Sequence, residues 1–297
     1  MLSDKSKSYL NLHLIVFIWG FTAILGALIS LDALPLVWYR MLFAVIFIGI
    51  YIIFKKIDFR LDKPTLFKFL VAGFIIALHW FTFFKAIKVS NVSITLACLS
   101  TGAFFASILE PIFYKKRIVP YELLLGFAVI IGLYIIFKVE IKFINGILLA
   151  LFSAFLSALF AVINSQFVKK HNSTVISFYE LIGGVIFFSF FLLVSNSFSW
   201  KFFQVSKNDL MYLFILSSIC TAYAFIESTR VMKYLSPYTV MLTINLEPIY
   251  GIILAVIIFE DKEKMSVEFY IGALIILTTV LVNTLIKTKK TKLKEPQ

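Results

Sequence analysis

Leu246-Glu247-Pro248-Ile249 lies inside an apolar run from about 237 to 259, and the same four residue types recur at Leu109-Glu110-Pro111-Ile112 inside the run 91–114. Both the carboxylate and the proline are costly there. A charge at the centre of a helix in hydrocarbon costs about 2.5–3.5 kcal/mol. The proline removes a backbone donor and crowds the carbonyl four residues back. Whether these stretches are one element repeated decides how the chain is organised, and the flanking sequence answers the question.

Of the 297 residues, 61% are hydrophobic and 15% charged, with a mean hydropathy of +0.98. A soluble domain carries about 45–50% apolar and about 25% charged residues. This chain lacks the polar surface to solvate a globule and reads as an all-α integral membrane protein. Ten stretches are long enough to span hydrocarbon as helices: about 10–30, 34–54, 66–88, 91–114, 121–137, 145–168, 174–195, 209–230, 237–259 and 267–286. They are continuously apolar rather than alternating, which favours helices over a barrel. Breaks such as Leu31-Asp32-Ala33-Leu34-Pro35 leave no room for a soluble domain. Lys5 and Lys7 ahead of the first run mimic a secretory signal, but the run exceeds a signal's apolar core and reads as a retained helix. Residues 287–297 form a basic tail, expected to be unstructured. Cys98 and Cys220 fall in apolar runs and read as small core residues.

The net charge of +12 raises the question of a nucleic-acid partner. With the N-terminus cytoplasmic, the inner segments hold 19 Lys and Arg and the outer ones 8, while Arg40 lies within a span. Positively charged cytoplasmic loops produce that asymmetry. Both termini are therefore expected inside a multi-pass protein of the cell (inner or plasma) membrane, and no nucleic acid is needed. The clusters Lys55-Lys56 and Lys115-Lys116-Arg117 read as topology determinants against anionic lipid.

The two halves repeat weakly. Trp19 to Gly26 aligns with Ser157 to Asn164 at an offset of 138, and Val37-Trp38-Tyr39-Arg40 with Ser177-Phe178-Tyr179-Glu180 at 140. Lys85-Ala86-Ile87-Lys88 aligns with Arg230-Val231-Met232-Lys233 at 145, and Glu122…Gly126 with Glu268…Gly272 at 146. Five helices per copy is an odd number, so the second copy enters the membrane from the opposite face. The chain thus reads as an inverted repeat, 10–137 and 145–286, the arrangement that supports alternating access in many secondary transporters. The two LEPI stretches lie 137 residues apart, nine short of that register. They are not repeat mates: at 146, Glu247 faces Thr101 and Pro248 faces Gly102. Glu110 falls beside Lys115 and Lys116 at the cytoplasmic surface, where a local ion pair suffices. Only Glu247 reaches the midplane, roughly 16 Å into its span.

Trp19-Gly20 in the first helix, Arg40 early in the second, His79-Trp80-Phe81-Thr82-Phe83-Phe84-Lys85-Ala86-Ile87 in the third, Leu246-Glu247-Pro248 in the ninth and Phe259-Glu260 after it carry a family resemblance. Together they resemble the drug/metabolite transporter superfamily, of the type with two EamA domains, over roughly 10–286. The resemblance implies a permease for small organic metabolites such as amino acids, often outward. There are departures: Thr101-Gly102-Ala103 stands where the family often has a proline, and Tyr114-Lys115-Lys116-Arg117 replaces a usual glutamate.

Intramembrane ionisable groups face a cavity or a partner. Glu247, with the carbonyl that Pro248 leaves undonated, either lines a binding site or marks a kink whose carboxylate is satisfied by neighbours. Arg40 either binds a substrate carboxylate or phosphate or clamps helix carbonyls. Glu180 is its repeat mate, but the two sit about 12 Å apart along the membrane normal, too far to pair. His79 can relay protons or serve as a hydrogen-bonded structural group. Trp19, Tyr39, Trp80, Tyr179 and Tyr223 are candidate pocket walls or ordinary packing, and Thr101 and Asn245 offer neutral hydrogen bonds at midplane depth. Glu227 and Arg230 read as a local helical ion pair. There is no Gly-rich phosphate loop, metal-ligand spacing or serine elbow, so neither cofactor, metal nor enzymatic chemistry is expected. The expected partners are a small-molecule substrate and the bilayer, with a homodimer left open. The reading is a secondary transporter working by alternating access; a nucleotide-sugar or phosphorylated-metabolite carrier and a membrane-embedded enzyme or scaffold stand as alternatives.

Overall fold

Apolar chain in hydrocarbon must satisfy its own backbone groups, and helices do so within one segment. A computed structural model of the chain describes residues 3–115, 117 and 120–292, and among them there are helices and no strands. Lys116 and residues 293–297, used in the charge reading above, lie outside the described residues. The helices are α1 (Asp4–Leu28), α2 (Ala33–Lys55), α3 (Lys63–Val89), α4 (Val92–Leu99), α5 (Gly102–Tyr114), α6 (Pro120–Val139) and α7 (Ile144–Phe167). They continue as α8 (Ser173–Val194), α9 (Lys207–Ser217), α10 (Ala224–Val231), α11 (Pro237–Ile244), α12 (Glu247–Phe259) and α13 (Val267–Lys292). Helix α13 thus runs on into the tail that was expected to be unstructured. Local signals set several starts: Ser3, Asp62, Asn91, Asn172, Ser206 and Ser236 each accept a first-turn N–H as N-caps. Eight stretches are long and apolar enough to cross a membrane, counting α4 with α5, α9 with α10 and α11 with α12; α6 and α13 contain shorter apolar segments.

Three of the expected spans are broken. The run 91–114 divides at Ser100-Thr101, and 237–259 divides at Asn245-Leu246, giving helices of 8 and 13 residues in each case. The run 209–230 contains a π-helical segment, Ser218–Tyr223. The matched breaks correct the register: Val92 and Pro237, Gly102 and Glu247, and Tyr114 and Phe259 are each 145 apart, so Gly102, not Thr101, is the mate of Glu247. The offset of 146 came from the next helix pair, beyond the connection, and does not apply within this one. Backbone conformation repeats too. The described non-glycine residues with positive φ are Lys56, Lys115, Asn196 and Glu260, each at a helix end, and they pair at offsets of 140 and 145.

The halves meet antiparallel. Helix α2 crosses α8 with Trp38 donating to Ser189 Oγ at 2.8 Å, while at the other end Gly49 lies against Phe178. Helices α6 and α13 cross at Gly132 and Gly272, where a Cβ on either would come within 2.7 Å of the other's carbonyl. Helices α4–α5 and α11–α12 hold each other's ends. Glu263, just after α12, accepts the Val92 and Ser93 N–H groups of α4, both at 2.9 Å. Glu110, near the end of α5, accepts the Tyr238 N–H of α11 at 3.0 Å. Glu110 therefore caps a helix from the other half, a contact beyond the local ion pair expected from its lysine surroundings, of which Lys116 lies outside the described residues. The expected Glu227–Arg230 pair is present at 2.6 Å.

Candidate functional site

A cavity of about 70 Å³ lies between the halves, lined by α1, α2, α3, α4, α7, α10, α11 and α12. Apolar groups such as Phe83, Phe160, Phe225 and Met241 form most of its wall, with Trp19, Arg40, His79, Trp80 and Glu247 supplying polar and amphipathic faces.

The π segment explains how Arg40 is held. A π turn leaves carbonyls and side chains off the α-helical ladder. Thr221 donates to Leu216 O at 2.6 Å, five residues back, and accepts from Arg40 Nε at 2.7 Å. Cys220 O, in the same segment, accepts from Trp19 Nε1 at 3.1 Å. The Arg40 guanidinium lies 3.9 Å over the Trp80 ring, and its Nη1 is buried without a partner. The cation–π contact with the indole and one anchored nitrogen hold the guanidinium while leaving a donor unused.

His79 is tied through Nδ1, 2.9 Å from Ser153 O, and Ser153 Oγ donates to His79 O at 2.9 Å. Ser153 Oγ also lies 2.8 Å from Nδ1, so the tautomer sets the role of that nitrogen: protonated it donates to Ser153 O, unprotonated it accepts from Ser153 Oγ. Glu247 is the first residue of α12, just past the break, where unpaired N–H groups and the helix dipole favour a carboxylate. Pro248 gives Ile244 O no donor, consistent with the break. Among the described residues no ion pair joins Arg40 to Glu247.

Five of the eleven candidates thus share one cavity, and six sit elsewhere. Tyr39 donates to Phe202 O at 3.2 Å and stacks on that ring. Tyr179 donates to Phe59 O at 3.0 Å, and Tyr223 is 44% exposed beside Glu227 and Arg230. Thr101 donates back to Cys98 O at 2.8 Å at the helix break, and Asn245 occupies the matching break with its Nδ2 unpartnered. Glu180 is fully buried against Asn164, so it and Arg40 do not pair. Sequence reasoning missed Thr22, Ser157 and Ser228 on the cavity wall. Ser157 had one signal: the repeat alignment places it opposite Trp19.

The EamA-like transporter family profile matches the sequence twice, over residues 6–138 and 144–285. None of the curated proteins matches. A crystal structure of another protein superposes with a TM-score of 0.70 at 14% identity, over 95% of this chain and 99% of that one, and so shares the fold. Two profile matches over nearly the whole length, on two antiparallel halves around one cavity, establish that the chain belongs to the EamA-like transporter family.

Proposed function

We propose that the protein is a secondary transporter of small organic metabolites, with amino acids or related zwitterions as its solute class. The observation that carries this is the pairing of an anchored guanidinium with an unused donor and a buried carboxylate in one mostly apolar cavity between the halves. Arg40 would take the solute's carboxylate, Glu247 its ammonium group, and Trp19 and Trp80 its side chain. His79 Nε2 adds a neutral acceptor or donor. The six remaining candidates, Tyr39, Thr101, Tyr179, Glu180, Tyr223 and Asn245, then act on the solute through the framework around the cavity.

In this reading ten spans cross the cell membrane, α4–α5, α9–α10 and α11–α12 each counting as one. Residues 10–137 and 145–286 form the inverted halves, and the excess of Lys and Arg keeps both termini cytoplasmic. The external face is then the closed one. Ser30 N and Oγ bind Asp209 at 2.7 and 2.6 Å, Lys88 Nζ donates to Ile29 O, and Glu263 caps α4. The cavity wall extends to Met232 at the cytoplasmic end of α10, so the arrangement faces inward, ready to load solute for export. Each chain holds a whole cavity, so a homodimer would duplicate the site rather than complete it.

Counterflow in proteoliposomes with amino acids, sugars and phosphorylated metabolites tests the reading. Exchange of amino acids, weakened by Glu247→Gln, is expected. Folded protein that exchanges none of them overturns it, and exchange of phosphorylated solutes alone would move the assignment to that carrier class.

A further inference from the structure

Glu180 lies on α8, outside the cavity, with no exposed surface. Its Oε1 accepts from Asn164 Nδ2 of α7 at 2.9 Å. Its Oε2 and the Oδ1 of the same Asn164 are both buried and without partners. Two acceptors on one hydrogen-bonded pair of residues cannot satisfy each other, and an ionised carboxylate with one neutral hydrogen bond is expensive in this setting. One proton resolves both at once. Placed on Oε2, it turns that oxygen into a donor for Asn164 Oδ1 and closes a cyclic acid–amide pair with the existing bond.

The surrounding elements bring no counter-charge. Helix α3 meets Glu180 with Gly73; its Lys68 lines the inner rim with Lys169 and Lys170, His79 belongs to the cavity, and Lys63, Lys85 and Lys88 lie farther along. Helix α2 meets α8 at Met41 and Gly49, with Arg40 turned onto Trp80 and Thr221 and Lys55 at its far end. Helix α10 carries Glu227 and Arg230, already paired. On α8 itself, Tyr179 is engaged with Phe59 O. Ser177, one turn toward the helix start on the same face, keeps a buried hydroxyl without a partner. It is the next polar group in the direction of the cytoplasmic rim.

We propose that Glu180 and Asn164 form a proton-binding site in the second half, separate from the solute cavity, whose proton is taken from and returned to water as the carrier cycles. The cycling part rests on the transport reading above. With the proton bound, the pair is neutral and α8 stays packed on α3 and α7. Without it, the charge must reach water, which requires α8 to shift in that packing. Proton occupancy thereby biases one arrangement of the halves over the other.

Infrared spectroscopy of the full chain in liposomes, titrated with pH, tests the site independently of transport. A protonated-carboxyl C=O band that disappears in Glu180→Gln and shifts in Asn164→Leu is expected; absence of any Glu180-dependent band overturns the site. On the same vesicles, Glu180→Gln keeps the hydrogen-bonded ring with a neutral amide. It should lower accumulation driven by an imposed pH gradient roughly tenfold relative to counterflow. An unchanged ratio, or full accumulation on a sodium gradient alone, overturns the cycling. If the wild type exchanges no solute, the transport reading fails while the infrared band still decides the site.

Discussion

In the proposed orientation, with the arrangement facing inward, Glu263→Gln perturbs the external closure at one point whose strength follows from the structure. The carboxylate accepts two α4 N–H groups at 2.9 Å each and is 4% exposed. Glutamine has one acceptor oxygen, so one of the two charge-assisted bonds is lost and the other becomes neutral. Such a bond contributes about 1.5–3 kcal/mol, and the charge at a helix start a further ~0.3–1 kcal/mol. Allowing for water replacing part of the loss, the inward-facing arrangement weakens by about 1.4–2 kcal/mol, a shift of roughly ten- to thirtyfold toward external opening. The assay is labelling of a Leu99→Cys reporter on the cavity wall by an impermeant maleimide added outside, with Cys98 and Cys220 replaced by alanine. Glu263→Gln should raise the labelling rate about tenfold. A folded Glu263→Gln protein with an unchanged or lowered rate refutes the reasoning.

Two further outcomes follow from the contacts. Gly73→Ala would place a Cβ 2.0 Å from the Glu180 carbonyl oxygen, so α3 and α8 must part by more than an ångström, whereas Gly49→Ala stays 3.4 Å from Phe178. Thermal unfolding in detergent should show Gly73→Ala destabilised by about 1–3 kcal/mol and Gly49→Ala little changed. Arg40→Lys removes the Nε bond to Thr221 and the guanidinium contact with Trp80 while keeping the charge. The half-saturation concentration for solute should rise about tenfold or more, and an unchanged value would exclude Arg40 from solute binding.

The helical, membrane-embedded class was legible in the sequence because apolar runs and repeat offsets are local in character and need no contact to be read, and the resemblance of motifs such as Leu246-Glu247-Pro248 pointed to the family. The sequence also separated the two LEPI stretches, since register depends only on counting. It brought out Arg40, His79 and Glu247 because ionisable groups in apolar runs are conspicuous by their cost. Tertiary structure decided the rest. Tyr39, Tyr179 and Tyr223 look equivalent to Trp19 and Trp80 in sequence, yet only the two tryptophans face the cavity, since helix rotation is set by packing partners. The break at Thr101-Gly102 has no proline to announce it, and the π segment at Ser218–Tyr223 has no residue signature at all. Glu110 among lysines gave no hint of the helix it caps, because that helix start lies 128 residues away and only folding brings its N–H group within reach.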